Sequence, residues 1–441
     1  MNRTLAQVRA YPPSVRLLLV NQLSINLGFY MLMPYLAQHL STGLGLAGWV
    51  VGLVLGFRNF TQQGMYVVGG ALADRFGYKP LIVAGCLLRT AGFGMLGLVD
   101  SVPALIVATA LTGFAGALFA PAVRAYLALE AGEERRVEAF ALFSVFYQAG
   151  ILLGPLLGLA LTAVSFRLTC LTAAAVFALL SLVQLRALPP RYGDGPGREP
   201  RRGTLTEWRA ILANRKFLLF AAVMTGSYVM TFQVYLALPL EARRVGGDGP
   251  AGTVAVSLLF AVSGLATVLC QRRVTAWCKA HLDPARAVVR GVLVMSGAFL
   301  PMLAASAVPV PEPGPWRWVL AAVPPTLSAL LLAAGQMIAF PFEMDAVVRL
   351  SRERLVATHY GLYNTICGIG ITAGNLLTGV ALDAARAAGL AALPWLVLVL
   401  TGASCALALR LKATGVLGGA EATITGDGRS PTARILQRRR G

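Results

Sequence analysis

The stretch Gly70-Ala-Leu-Ala-Asp-Arg-Phe-Gly-Tyr-Lys-Pro80 decides how this chain is read. It is a short charged turn set between two long apolar runs, and charge so close to apolar helix ends needs a reason. Gly70 permits close approach of another backbone and Gly77 permits positive φ. Asp74 and Arg75 supply both signs, and Lys79 with Pro80 opens the next helix. The flanking runs are about twenty residues each, the length a helix needs to cross a hydrocarbon core of roughly 30 Å. Twelve such runs follow one another: 15–37, 48–71, 80–98, 102–125, 139–163, 168–185, 217–240, 254–271, 287–305, 318–348, 357–381 and 388–409. With 57% hydrophobic and 13% charged residues over 441 positions, and a mean hydropathy of +0.69, one soluble core is excluded. An all-α membrane protein with twelve transmembrane helices is expected.

The formal net charge of +19 would suit a nucleic-acid partner if it were gathered on one soluble domain, but it alternates with the loops instead. Placing both termini in the cytoplasm puts 30 of the 38 Lys and Arg on that side. Arg167, Arg243, Arg244, Arg317 and Arg386 fall on the other side, and Arg58, Arg89 and Arg124 lie within spans. This is the positive-inside asymmetry of a multi-pass plasma-membrane protein, so no nucleic-acid partner is needed. Residues 1–14 run into a full-length span rather than a cleavage site, which makes the first span the expected targeting signal. The six cysteines contain no CxxC pair and read as small buried residues, with neither a disulfide frame nor a metal site.

The pattern G-x-x-x-D-R-x-G-x-K closely resembles the loop between spans 2 and 3 of major facilitator superfamily (MFS) transporters. The family usually has a basic residue where Tyr78 stands, and Lys79 keeps one of the two positive charges. The resemblance implies a conformational switch at Gly70, Asp74, Arg75, Gly77 and Lys79, in which Asp74 lies under the start of span 11. Arg124, at a similar depth near the inner end of span 4, is added as a second partner for Asp74. In span 5, Gly150-x-x-x-Gly154-Pro155-x-x-Gly158 is similar to the motif characteristic of the antiporter branches of this superfamily. A plain reading stands beside it: glycines at this spacing form a groove for another backbone, and the proline bends the helix. The resemblance implies secondary active export of an amphipathic small molecule by proton antiport. It implies no cofactor, a monomer, and partners limited to solute, protons and bilayer.

An internal repeat supports two six-helix bundles. Shifting by 220 positions lays Pro121 on Pro341, Glu133 on Glu353, Phe140-Ala-Leu-Phe143 on Tyr360-Gly-Leu-Tyr363, Gly150 on Gly370 and Gly154 on Gly374. Such a repeat is expected of two halves related by an axis along the membrane normal. The loop 272–283 carries only a worn version of the first-half pattern. The expected division is residues 1–190 for the first bundle, 191–214 for a polar cytoplasmic linker, 215–411 for the second bundle and 412–441 for a disordered tail. Within the linker, Thr204-Leu-Thr-Glu207 resembles a capping box opening a short helix into Asn214.

Polar residues at mid-span depth are the candidate cavity. In span 1 Gln22, Asn26 and Tyr30 share a face, and span 2 spaces Arg58, Gln62 and Tyr66 by four. With Gln148, Tyr228 and Asn364, the residues Asn26, Tyr30, Arg58 and Gln62 are expected to line one chamber, since lipid exposure of such groups is costly. Arg58 could equally be a tightly paired structural residue, and Arg89 reads as snorkelling or packing. The only paired carboxylates in a span are Glu343 and Asp345, candidates for proton coupling because span 1 offers Asn21 and Asn26 but no acid. A structural ion pair of Glu343 with Arg349 competes with that role. The mixed-charge loop 130–138 is expected to be solvated. No clustered His, Asp, Glu or Cys site argues for an enzyme. An uptake symporter or a non-transporting receptor or assembly factor on the same fold are the alternatives.

Overall fold

The structure, a computed structural model, describes residues 8–192, 204–247, 250–309, 312 and 314–416. Among them the chain forms α1 (Pro13–Gln38), a π-helical turn (His39–Gly43), α2 (Gly48–Phe76), α3 (Tyr78–Leu96), α4 (Val102–Thr162) and α5 (Phe166–Ala187). After the short α6 (Thr204–Ala213) come α7 (Arg215–Phe232), α8 (Ala237–Gly246), α9 (Pro250–His281), α10 (Pro284–Gly297), α11 (Leu300–Ala305), α12 (Pro315–Leu350), α13 (Val356–Ala387) and α14 (Leu393–Val416). The tail from 417 and the side chains of 204–207, including the expected capping box, lie outside the described residues, although α6 does begin at Thr204.

Ten helical stretches among the described residues are long and apolar enough to cross a membrane. One of them, α4, has 61 residues, and at 1.5 Å per residue it would be about three times the thickness of a hydrocarbon core. It therefore crosses twice, reversing at Gly132, whose φ of 68° and ψ of 167° are non-helical. The stretch omitted by hydropathy is α2, because Arg58, Asn59, Gln62, Gln63, Asp74 and Arg75 dilute its apolar content. Counting α2 once and α4 twice gives twelve crossings. Crossing 7 is α7 continued by α8, and crossing 9 is α10 continued by α11, where Pro301 restarts the helix. Asn214 joins the linker to the second half: its side chain accepts from the Phe217 N–H (3.2 Å) and donates to the Leu350 carbonyl (2.9 Å).

Lipid tails give helices no hydrophobic reason to associate, so close backbone packing between small residues has to hold the bundles together. The glycine motif of crossing 5 does this against α1. A Cβ at Gly150 would lie 2.6 Å from Asn26 Cβ, one at Gly154 2.7 Å from Tyr30 Cβ, and one at Gly158 would strike the Met31 carbonyl. Tyr35 closes the seam by donating its hydroxyl to the Pro155 carbonyl (2.7 Å). The second half repeats the arrangement, with Gly370 and Gly374 of α13 against Thr225 and Val229 of α7. The repeat seen in sequence is thus a repeat of contacts.

Between the halves, α2 and α13 touch at one end only. Gly70 lies on the Ala357 carbonyl, Gly361 on the Tyr66 carbonyl, and the Thr365 hydroxyl donates to the Gln63 carbonyl (3.2 Å). Toward the other end, Gly52 and Gly56 of α2 and Gly379 of α13 have no neighbour within 4 Å of a built Cβ. Along this pair of helices the halves meet at the end that carries loop 70–80 and separate toward the opposite face, whereas Gly264 of α9 still lies against Leu152 of α4.

Candidate functional site

The expected turn shrinks to one residue. α2 runs to Phe76, α3 starts at Tyr78, and Gly77 alone makes the corner at φ 95°. Asp74 and Arg75 are consequently helical rather than loop residues. The Asp74 carboxylate crosses to the other half, where Oδ1 accepts from the Ala357 N–H (3.2 Å) and Oδ2 from the Thr358 N–H (2.7 Å) and hydroxyl (2.6 Å). These are free donors of the first turn of α13, where a carboxylate is favoured by both hydrogen bonding and the helix dipole. The Tyr78 hydroxyl donates to Oδ1 at 3.3 Å, so the residue that departs from the family pattern serves as a neutral donor to the same acid. Gly70 lets α2 come close enough for all of this. Lys79 donates to the Leu185 carbonyl (2.8 Å) at the end of α5, and the Arg75 guanidinium stacks on Phe76.

The expected Asp74–Arg124 pair does not form. Arg124 donates to Asn364 Oδ1 of α13 (2.8 Å), since the helix amides already occupy the carboxylate. Nor does Glu343 pair with Arg349. One helical turn, not one and a half, brings side chains together, and Arg349 pairs with Asp345 (2.7 Å). Glu343 accepts from the Tyr363 hydroxyl (2.6 Å) and has the Tyr228 hydroxyl as a second neighbour.

Loop 130–138 is not simply solvated either. Arg136 is buried and bridges the halves to Asp345 (3.3 Å) and Glu353 (2.6 Å). Glu138 pairs with Lys279 of α9 (2.5 Å), and Glu130 takes Arg191 of the linker (2.5 Å) and the Ser14 hydroxyl. Lys279 belongs to the worn second-half loop. The contact between each loop and the opposite half's helix start is therefore kept with the charges exchanged: acid from loop 70–80, base from loop 272–283. The turn between α12 and α13 holds Arg352, Glu353 and Leu355 at positive φ, a strained conformation next to the Arg136 contact.

Away from this end, α2 presents a ladder: Arg58 donates to Gln62 Oε1 (2.8 Å), and Gln62 donates to the Tyr66 hydroxyl (2.8 Å). Phe29 of α1 stacks on the Arg58 guanidinium at 4.4 Å. Tyr30 is beside Tyr147 and Tyr235. Asn26 is buried in the glycine seam and turned back to its own Gln22 carbonyl (2.9 Å), so it positions α1 rather than presenting its amide. Gln148 is half-buried, one position off the face carrying Tyr147. Two clusters result, one around Arg58, Gln62 and Tyr30, the other around Glu343, Tyr228 and Asn364. Arg124 is the charged group between them, in electrostatic reach of both Tyr147 and Glu343. Arg89 packs rather than snorkels, with its guanidinium between the rings of Phe119 and Phe177 at 5.9 and 5.6 Å. Tyr147, Tyr363 and Arg136 escaped the sequence reading. Tyr147 was detectable, being three, seven and eleven residues before the motif glycines and so on their face.

Twelve crossings in two repeated halves that pack across a shared polar face define a membrane transporter fold. The Major Facilitator Superfamily profile matches residues 18–375, and the chain belongs to that family. It is 50% identical over 402 residues to Rv0849, an uncharacterized MFS-type transporter of Mycobacterium tuberculosis H37Rv, covering 91% of this chain and 94% of that one. It is 29% identical over 392 residues to the multidrug resistance protein MdtH of Escherichia coli K12, covering 89% and 92%. Among solved structures, a variant of the E. coli fucose:proton symporter FucP superposes with a TM-score of 0.68 at 13% identity, covering 90% and 98%, a likeness of fold. The protein is thus a multi-pass membrane transporter with a small-molecule substrate, not an enzyme.

Proposed function

We propose that the protein exports an amphipathic small molecule by proton antiport, with residues 1–190 and 215–411 moving as two bodies about a central polar face. The observation that carries this reading is the asymmetry of α2 and α13, sealed from Gly70 to Gln63 and separated beyond. An alternating-access carrier needs such a seal to be made in one state and broken in the other. With the basic loops in the cytoplasm, this is the outward-open state, and Gly70, Asp74, Gly77 and Arg124 act in the cytoplasmic closure. Arg136 joins them. Of the two candidate coupling carboxylates, the geometry favours Glu343. Asp345 has two arginine partners, whereas Glu343 is buried among hydroxyls with no cation within ion-pair distance among the described residues. Export is favoured by the likeness to MdtH and by the glycine motif of crossing 5.

The test is flux in vesicles of both orientations with a panel of amphipathic anions, cations and neutral compounds. Uptake into everted vesicles that collapses an inside-acid gradient is expected. Uptake confined to right-side-out vesicles, with proton entry, would replace export by symport.

A further inference from the structure

Arg58, Arg89 and Arg124 lie inside the spans, and none of the ion pairs among the described residues includes any of them. The acids nearest the polar face are committed elsewhere: Glu343 to Tyr363, Asp345 to Arg136 and Arg349, Asp74 to the start of α13. Arg124 lies within electrostatic reach of Glu343, whereas Arg58 carries its positive charge on the face with no acid paired to it among the described residues. A guanidinium held in low dielectric without a counter-ion is costly, and that cost falls when an anion arrives.

Arg58 is the group built to receive one. It is only partly covered, and its hydrogen bonds go to two neutral amide oxygens of its own helix, Asn59 (2.8 Å) and Gln62 (2.8 Å). These fix the planar fork without cancelling its charge, and Nε has no acceptor. Phe29 covers one face of the fork, and Tyr30, Tyr147 and Tyr235 continue an aromatic wall that reaches Phe232 and Phe260. Arg89, behind Gly116 with its tip close to Gln62, adds positive potential without reaching the face. A planar guanidinium matches a carboxylate or sulfonate, and rings beside it suit an apolar body.

We infer that the transported solute is an amphipathic organic anion whose carboxylate or sulfonate pairs with Arg58 while its apolar part lies on the Phe29, Tyr30 and Tyr235 rings. This rests on the reading of the protein as a transporter, and it excludes the lipophilic cation as the preferred cargo.

The experiment measures charge selectivity at the face without requiring transport. A cysteine is introduced by Tyr30→Cys in the full-length protein in nanodiscs. Its reaction rates with sulfonate-bearing and trimethylammonium-bearing methanethiosulfonates are read by mass of the peptide containing residue 30, and each is normalised to a free thiol. The sulfonate reagent should be favoured about tenfold, and Arg58→Gln should remove that preference while Arg58→Lys keeps it, since a single partly covered charge readily accounts for a factor of this size. 1-Naphthylacetate should slow the labelling in the presence of Arg58 more than 1-naphthylmethylamine does. A ratio near one, a preference for the ammonium reagent, an Arg58→Gln variant with an unchanged ratio, or equal effects of the two naphthyl compounds overturns the inference. Anion selectivity with no flux of any panel compound would instead sink the proposed export of amphipathic compounds, leaving the anion site standing.

Discussion

Replacing Asp74 by Asn should open the end of the molecule that is sealed here. The carboxylate meets three donors of α13 at 2.6–3.2 Å and a fourth from Tyr78. An Asn side chain offers one oxygen, which can stay on Thr358, and turns an NH2 group toward the Ala357 N–H, so that two donors face each other and only the Tyr78 hydroxyl can turn to accept. The lost charge at a partly buried helix N-terminus is worth about 2 kcal/mol. The contact exists only while this end is closed, so the loss shifts the conformational balance by roughly thirtyfold rather than lowering overall stability. Spin labels at Phe76→Cys and Arg352→Cys, both exposed positions on the two sides of the seal, report the distance. The wild-type label pair should give a dominant short distance, and Asp74→Asn a dominant longer one, with the protein still folded and inserted but transport strongly reduced. An unchanged distance distribution together with normal flux would refute the reasoning and leave loop 70–80 a topological corner. Asp74→Glu should resemble Asp74→Asn, because the Gly70–Ala357 approach leaves no room for another methylene.

Arg136→Gln should shift the same label distance in the same direction, by roughly tenfold in population, because Asp345 keeps Arg349 while Glu353 loses its partner. Its effect combined with Asp74→Asn measures how far the two contacts act as one unit. Gly158→Ala should cost about 1–3 kcal/mol or more, since its Cβ meets the Met31 backbone. Gly52→Ala, with no neighbour within 4 Å of its Cβ, should be near neutral, and thermal unfolding in detergent compares the two. Glu343→Gln can still accept from Tyr363, so it should fold and exchange solute while losing flux driven by a pH gradient. Retained gradient-driven flux would move proton coupling to another residue.

Much of this protein was written locally in the sequence. Twenty-residue apolar runs, the alternation of basic loops and a repeat at 220 positions all follow from chain-neighbour chemistry, which is why the twelve crossings and the two halves could be read from the sequence. Gly150, Gly154 and Gly158 announced a seam because a helix repeats its face every three to four residues, but not that Asn26 and Tyr30 fill it. Asp74 could be placed near the start of α13 through its motif, whereas its exclusion of Arg124 depends on amides nearly three hundred residues away being closer than the guanidinium. Arg136 looked like one more charge in a hydrophilic loop, and only the arrival of Asp345 and Glu353 from the other half makes it buried. The pairing of Asp345 with Arg349 and, among the described residues, the absence of an ion pair at Glu343 and of an acid beside Arg58 are likewise properties of the assembled bundle. A buried charge is defined by what folds around it, and a sequence records the charge without its surroundings.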